Sequence, residues 1–140
     1  MACGVKLSFV GKAVVLIVCY LVAGIFSEAL AQINKQSNIW YFGSKAGLDF
    51  NSGTPTVLTD GAMEAFEGTA SIADADGRLL FYSDGTTVWN KQHQVMANGS
   101  GLLGSANSAQ SCIIVPKPGS QTIYYLFTTD AAGKANGLRY

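Results

Sequence analysis

The chain has 140 residues, room for one domain, with nine basic and nine acidic side chains and one histidine. That balance argues against nucleic-acid binding, which calls for a basic patch or a high isoelectric point. Sixteen glycines and 11% aromatics favour short strands and tight turns over long helices, and 49% hydrophobic against 13% charged residues excludes a disordered chain.

In chain order the first element is an export signal. Lys6 and Lys12 form a positive leading region, residues 13–26 (AVVLIVCYLVAGIF) are continuously apolar, and Ala29 and Ala31 are the small residues a signal peptidase reads. The pattern predicts a signal helix over residues 1–31, cut between Ala31 and Gln32. A retained signal-anchor is the competing reading, although the 14-residue apolar run falls short of the about 20 residues a span needs. A lipoprotein cut at Cys19 is disfavoured by the large Val18 before it. Membrane association is therefore expected only through this segment.

Residues 32–140 keep seven Lys or Arg against eight Asp or Glu, and one cysteine, Cys112. A single cysteine closes no internal disulfide, and with His93 it supplies too few ligands for a metal site. Cys112 sits in the apolar run SCIIVPK and reads as a small core residue. No cofactor is expected.

Strand signals follow quickly: NIWYFG (38–43), GLDF (47–50), PTVLTD (55–60), TASIAD (69–74), RLLFYSD (78–84) and TTVWN (86–90). The Asp76-Gly77 and Asp84-Gly85 pairs read as two-residue hairpin turns. NGSGLLGSANS (98–108) reads as a loop; SCIIVPK (111–117), TIYYLFTTD (122–130) and GLRY (137–140) read as further strands. LLFY, CIIV and IYYLF are continuous rather than alternating apolar runs, which predicts burial on both faces and therefore stacked sheets. Gly77 and Gly119 lie 42 residues apart, and Phe81 and Asp84 lie 46 residues before Phe127 and Asp130. A recurrence of that length, at about four strands per unit, is the mark of β-propeller blades. The expectation is an all-β fold: a truncated β-propeller-like repeat domain over residues 32–140, about two blades of four-stranded antiparallel sheet. DADGRLLFYSDGTTVWN (74–90) would supply the second and third strands of one blade.

The chemical readings are weak beside that one. DADG (74–77) partly matches a calcium loop but has two carboxylates and no later Glu, so turn chemistry accounts for it. SDGTTVW (83–89) resembles the Asp-box of sialidase-like propellers with the wrong spacing. Asp60, Glu64 and Glu67 cluster in DGAMEAFEG; they would serve a glycosidase only as a pair held across the scissile bond, and otherwise form a solvated connection. His93 has no Ser-Asp or Cys partner pattern and reads as a surface or edge-strand residue. Trp40, Tyr41, Trp89, Tyr124 and Tyr125 would stack on sugars if they faced a groove, and otherwise fill the space between blades. Asn98-Gly99-Ser100 matches the glycosylation sequon and equally a turn. No catalytic, cofactor-binding or metal residue is expected.

The order of WYFG, GLDFN, LLFYSDG, VWN, IIVPKPG and YYLFT across residues 38–140 resembles the N-terminal β-propeller region of secreted proteins of the Bacteroidota, the gliding-motility-associated or type IX secretion substrates. The resemblance implies export to the cell surface or medium and a non-catalytic binding or adhesive role, with carbohydrate or a surface protein as partner. Those proteins continue into adhesive modules and a C-terminal sorting domain. The reading therefore expects this chain to be a fragment, which alone would stall in the periplasm. The alternative is a propeller-type glycoside hydrolase using Glu64 or Glu67.

Overall fold

The computed structural model describes residues 34–140; the expected signal segment lies outside the described residues. Three antiparallel meanders follow one another. The first sheet is β1 (Ile39–Phe42), β2 (Ala46–Asp49) and β3 (Thr56–Leu58); the second is β4 (Ala70–Ala73), β5 (Leu79–Ser83), β6 (Thr87–Asn90) and β7 (Val95–Ser100). The third is β8 (Cys112–Pro116), β9 (Tyr124–Thr129) and β10 (Leu138–Arg139), with a 3₁₀ turn at Ala131–Gly133. Among the described residues no helix is long and apolar enough to cross a membrane.

The all-β class is as expected, and residues 74–90 do supply the second and third strands of a four-stranded meander. Two expectations are corrected. The described chain forms three sheets of three, four and three strands, where about two four-stranded units were expected. The first three strands pair with each other, Trp40 opposite Leu48 and Leu48 opposite Val57, so they make a sheet of their own. Residues 98–100, expected in a loop, end β7, which pairs with β6 through an irregular register. Asn98 at φ 60° and a buried Gly99 absorb that irregularity, so two turn-forming residues serve a bulge.

The turns also differ from the two-residue type. Asp76 is not among the positive-φ residues; Gly77 alone takes the left-handed conformation, at φ 86°. The Gly77 N–H donates to Asp74 O and Asp74 Oδ1 accepts from the Asp76 and Arg78 N–H groups, so the carboxylate of Asp74 organises the loop. The β6–β7 turn repeats this pattern with Asn90 accepting from Gln92 and Gln94, and with His93 at φ 61° in the place of the glycine.

The core lies between the first and second sheets. Alternation along β1 buries Ile39 and Tyr41 on one face and exposes Trp40 and Phe42 on the other. Tyr41 stacks on Tyr82 at 4.6 Å, and Tyr82 stacks on Trp89 at 5.5 Å. Met63 and Ala65 close the layer from the connection to β4, held there by backbone bonds to Lys45 and Gly43. Burying each large apolar side chain stabilises the layer by roughly 1.5–3 kcal/mol.

The second and third sheets meet at a tighter seam. Phe81 packs edge-on against Tyr124 at 5.6 Å, the Cys112 thiol donates to Ser83 O, and Ser111 Oγ donates to Gly68 O. Every buried side-chain polar atom among the described residues has a partner. Burial raises the Cys112 thiol above its ordinary range, so the small core role expected for it is chemically quiet. The continuous apolar run of β5 is covered on both sides. Those of β8 and β9 are covered on one side only: Ile113, Val115 and Tyr125 face outward and are exposed.

Candidate functional site

The first strand of each sheet is an edge strand, and the three edges converge: β1 lies against β4, and β4 against β8. Edges present unpaired backbone groups. Those of Tyr41 on β1 are met by side chains on and just before β4: Ser71 Oγ accepts from Tyr41 N–H at 2.8 Å, and Thr69 Oγ1 donates to Tyr41 O at 3.1 Å.

A groove of about 430 Å³ runs along this convergence, lined among others by Trp40, Phe42, Thr69, Ser71, Gln110 and Ile113. Its size falls in the range of about 300–1,000 Å³ typical of small-ligand sites. Trp40 is 49% exposed, its indole N–H donates to Ser37 O at 2.7 Å, and its ring rests on Phe50 at 4.9 Å. The ring is thus fixed while part of its surface stays open. Gln110 donates to Cys112 O at 2.9 Å, which fixes the side chain and leaves its carbonyl oxygen and second N–H as hydrogen-bonding groups. Aromatic face, hydroxyls and a carboxamide make a surface suited to a neutral, hydroxyl-rich ligand.

Of the aromatics singled out in the sequence, only Trp40 and Tyr41 line this groove. Tyr41 and Trp89 fill the layer between the first two sheets, Tyr124 fills the seam with the third, and Tyr125 lies on its outer face. Thr69, Ser71, Gln110 and Ile113 carried no sequence signal, because each enters the groove from a different strand or connection.

His93 does have a carboxylate partner, from a distant segment. Its Nε2 lies 3.4 Å from Asp60 Oδ2, and its Nδ1 is 3.1 Å from the Tyr82 hydroxyl, which also accepts from Ala62 N–H. Tyr41 donates to Asp60 Oδ1 at 2.8 Å. Burial first, and then the bond to Asp60, raise the Tyr41 phenol above its ordinary range; the same bond draws Asp60 below the usual carboxylate range. Burial also raises Tyr82. Both tyrosines are held protonated, Tyr41 as the donor to Asp60, which suits a structural network and is the opposite of what an activated nucleophile needs. His93 itself takes a left-handed backbone, at φ 61°, in the β6–β7 turn.

The structure distributes the three carboxylates of residues 60–67 to different partners. Asp60 joins Tyr41 and His93, while Glu64 pairs with Lys45 at 3.4 Å on an exposed edge, and Glu67 is exposed. In DADG, Asp74 is engaged by backbone N–H groups and Asp76 by the Arg78 guanidinium at 2.6 Å. Among the described residues no group of three or more His, Cys, Asp or Glu side chains is placed to hold a metal ion. Asn98 of the sequon is exposed on β7.

No family model, curated protein or solved structure matches the chain.

Proposed function

We propose that the chain is an exported, non-catalytic β-propeller segment that binds carbohydrate through the groove between β1, β4 and β8. The observation that carries the reading is the convergence of the three first strands on a groove with a fixed, half-exposed tryptophan and convergent polar side chains. Meanders in chain order, each laying its first strand beside that of its neighbour, are what a wheel of blades requires. Export rests on the leading residues 1–31, and a surface destination on the resemblance to the type IX secretion substrates of the Bacteroidota.

The test is a glycan array probed with the recovered chain. Trp40→Ala is expected to weaken the best hit at least about ten-fold, as loss of an aromatic anchor does. Glu64→Gln and Glu67→Gln should leave binding unchanged. Turnover of a glycan that either Glu substitution abolishes would replace this reading with a glycoside hydrolase.

A further inference from the structure

The connection from β3 to β4, inside the described chain, crosses one end of the groove and displays a phenylalanine there. All three lining strands reach that end: β1 runs out into Gly43, β4 is entered through Gly68 and Thr69, and β8 through Ser108 and Gln110. Residues 64–68 pass between them. Ser44 and Glu64 form an antiparallel bridge, the Ala65 N–H donates to Gly43 O at 2.9 Å, and the Gly68 N–H donates to Ser108 O at 3.1 Å. The segment therefore runs from the first sheet to the chain entering the third, as a sill across the end of the groove.

Packing fixes the sill on both sides. Met63 and Ala65 are buried, and a Cβ on Gly68 would lie 2.6 Å from Ser111 N and 2.7 Å from Ala109 O, so the backbone there rests directly on the chain entering β8. Between these anchors Phe66 is 88% exposed, the most exposed phenylalanine among the described residues. A ring held out to water from an anchored backbone offers a large contact surface that binding orders at little entropic cost. Trp40 lies three residues before Gly43, about 10 Å back along β1, so the two open aromatic rings stand at different stations along the groove. None of the residues lining the groove is charged.

We propose that Phe66 is a second stacking platform of the groove, so that the ligand is an unbranched, neutral oligosaccharide lying on Trp40 at one end and on Phe66 at the other. The inference rests on the carbohydrate reading above and deepens it. Trp40 carries one sugar ring, and the hydroxyls of Thr69 and Ser71 and the carboxamide of Gln110 meet the hydroxyls of the rings that follow. The chain then leaves the groove over the sill, where Phe66 carries a ring that a disaccharide seated on Trp40 does not reach. Trp40 thus reads the presence of a sugar, and Phe66 reads the length of the chain. A neutral chain matches the uncharged lining, which holds no partner for a carboxylate or a sulfate.

The test is titration calorimetry of the full chain, recovered in whatever form the host leaves it, against unbranched β-1,4-linked oligomers of glucose, mannose and xylose. Each sugar is offered as its disaccharide and its hexasaccharide. In at least one series the hexasaccharide should bind at least about ten-fold tighter than the disaccharide. In that series Phe66→Ala should bring the hexasaccharide down to the affinity of the disaccharide, Phe66→Trp should keep the gain, and Trp40→Ala should weaken both lengths. The melting temperature and near-ultraviolet circular dichroism of Phe66→Ala should match those of the parent chain. A lowered melting temperature would mean that another segment of the protein covers the ring, and it overturns the proposal. So does a loss from Phe66→Ala that is the same at both lengths, or no loss at all. Equal binding of the two lengths, both weakened by Trp40→Ala, overturns the role of Phe66 and leaves the carbohydrate reading standing. Failure of every oligomer to bind also overturns the proposal, and an equally blank glycan array would remove the carbohydrate reading with it.

Discussion

Tyr41 and Asp60 hold each other in fixed protonation states, and that sets how stability should change with pH. Asp60 is harder to protonate when folded, so its contribution is present above pH about 4 and lost as pH falls through its lowered value. Tyr41 is harder to ionise when folded. Its contribution is complete below its ordinary value of 10.0 and is lost as pH rises beyond that value. Because the Asp60 side chain is 61% exposed, its bond to Tyr41 is partly screened, and Asp60→Asn should cost only about 1 kcal/mol at neutral pH. Melting curves at about pH 3, 7 and 10.5 would check the signs, using the ordinary values above as reference points. Asp60→Asn should flatten the acid limb and Tyr41→Phe the alkaline limb; unchanged limbs would remove the pair from the account.

Turns are where single residues decide an element. Asp84 is 6% exposed and accepts from the N–H groups of Thr86 and Thr87 and from the Thr86 hydroxyl, each at 2.8 Å. Asp84→Ala strands those donors in a buried turn and should cost about 2–3 kcal/mol. Asp76 faces solvent and pairs only with Arg78, whose side chain is 74% exposed, so Asp76→Ala should stay within about 0.5 kcal/mol. Urea unfolding of the two variants checks the contrast, and equal losses would refute it. The β6–β7 turn shows the same rule with a different occupant. His93 accepts a left-handed backbone that glycine would take without strain, and in return its ring reaches Tyr82 and Asp60.

Sheet-to-sheet packing in this molecule depends on close backbone approach at the second seam. A Cβ on Gly85 would lie 2.7 Å from Ser111 O, and Gly85 also has φ 87°; Gly119 has φ 75° with nothing near its missing side chain. Gly119→Ala should therefore cost about 1 kcal/mol, the backbone term alone. Gly85→Ala should cost about 3 kcal/mol or more, because the third sheet must also move off the second. Thermal unfolding of both variants measures the difference. Similar losses would mean that the seam yields without penalty.

The sequence by itself determined the element type and much of the strand order. Short apolar runs cut by Gly, Asp and Asn cannot sustain a helix, and local turn chemistry fixes which neighbouring strands pair. It also carried the internal recurrence: Phe81 and Phe127, singled out by spacing, do hold matching register positions. Three things depended on tertiary structure. The grouping into three sheets required knowing which strands share hydrogen bonds. Coverage of the β8–β9 runs on one face only depended on which sheet lies opposite. The groove and the Asp60–His93–Tyr82 network join residues from different sheets and connections, and contacts over such separations leave no periodicity for a sequence to display, because side chains meet there through packing rather than through spacing along the chain.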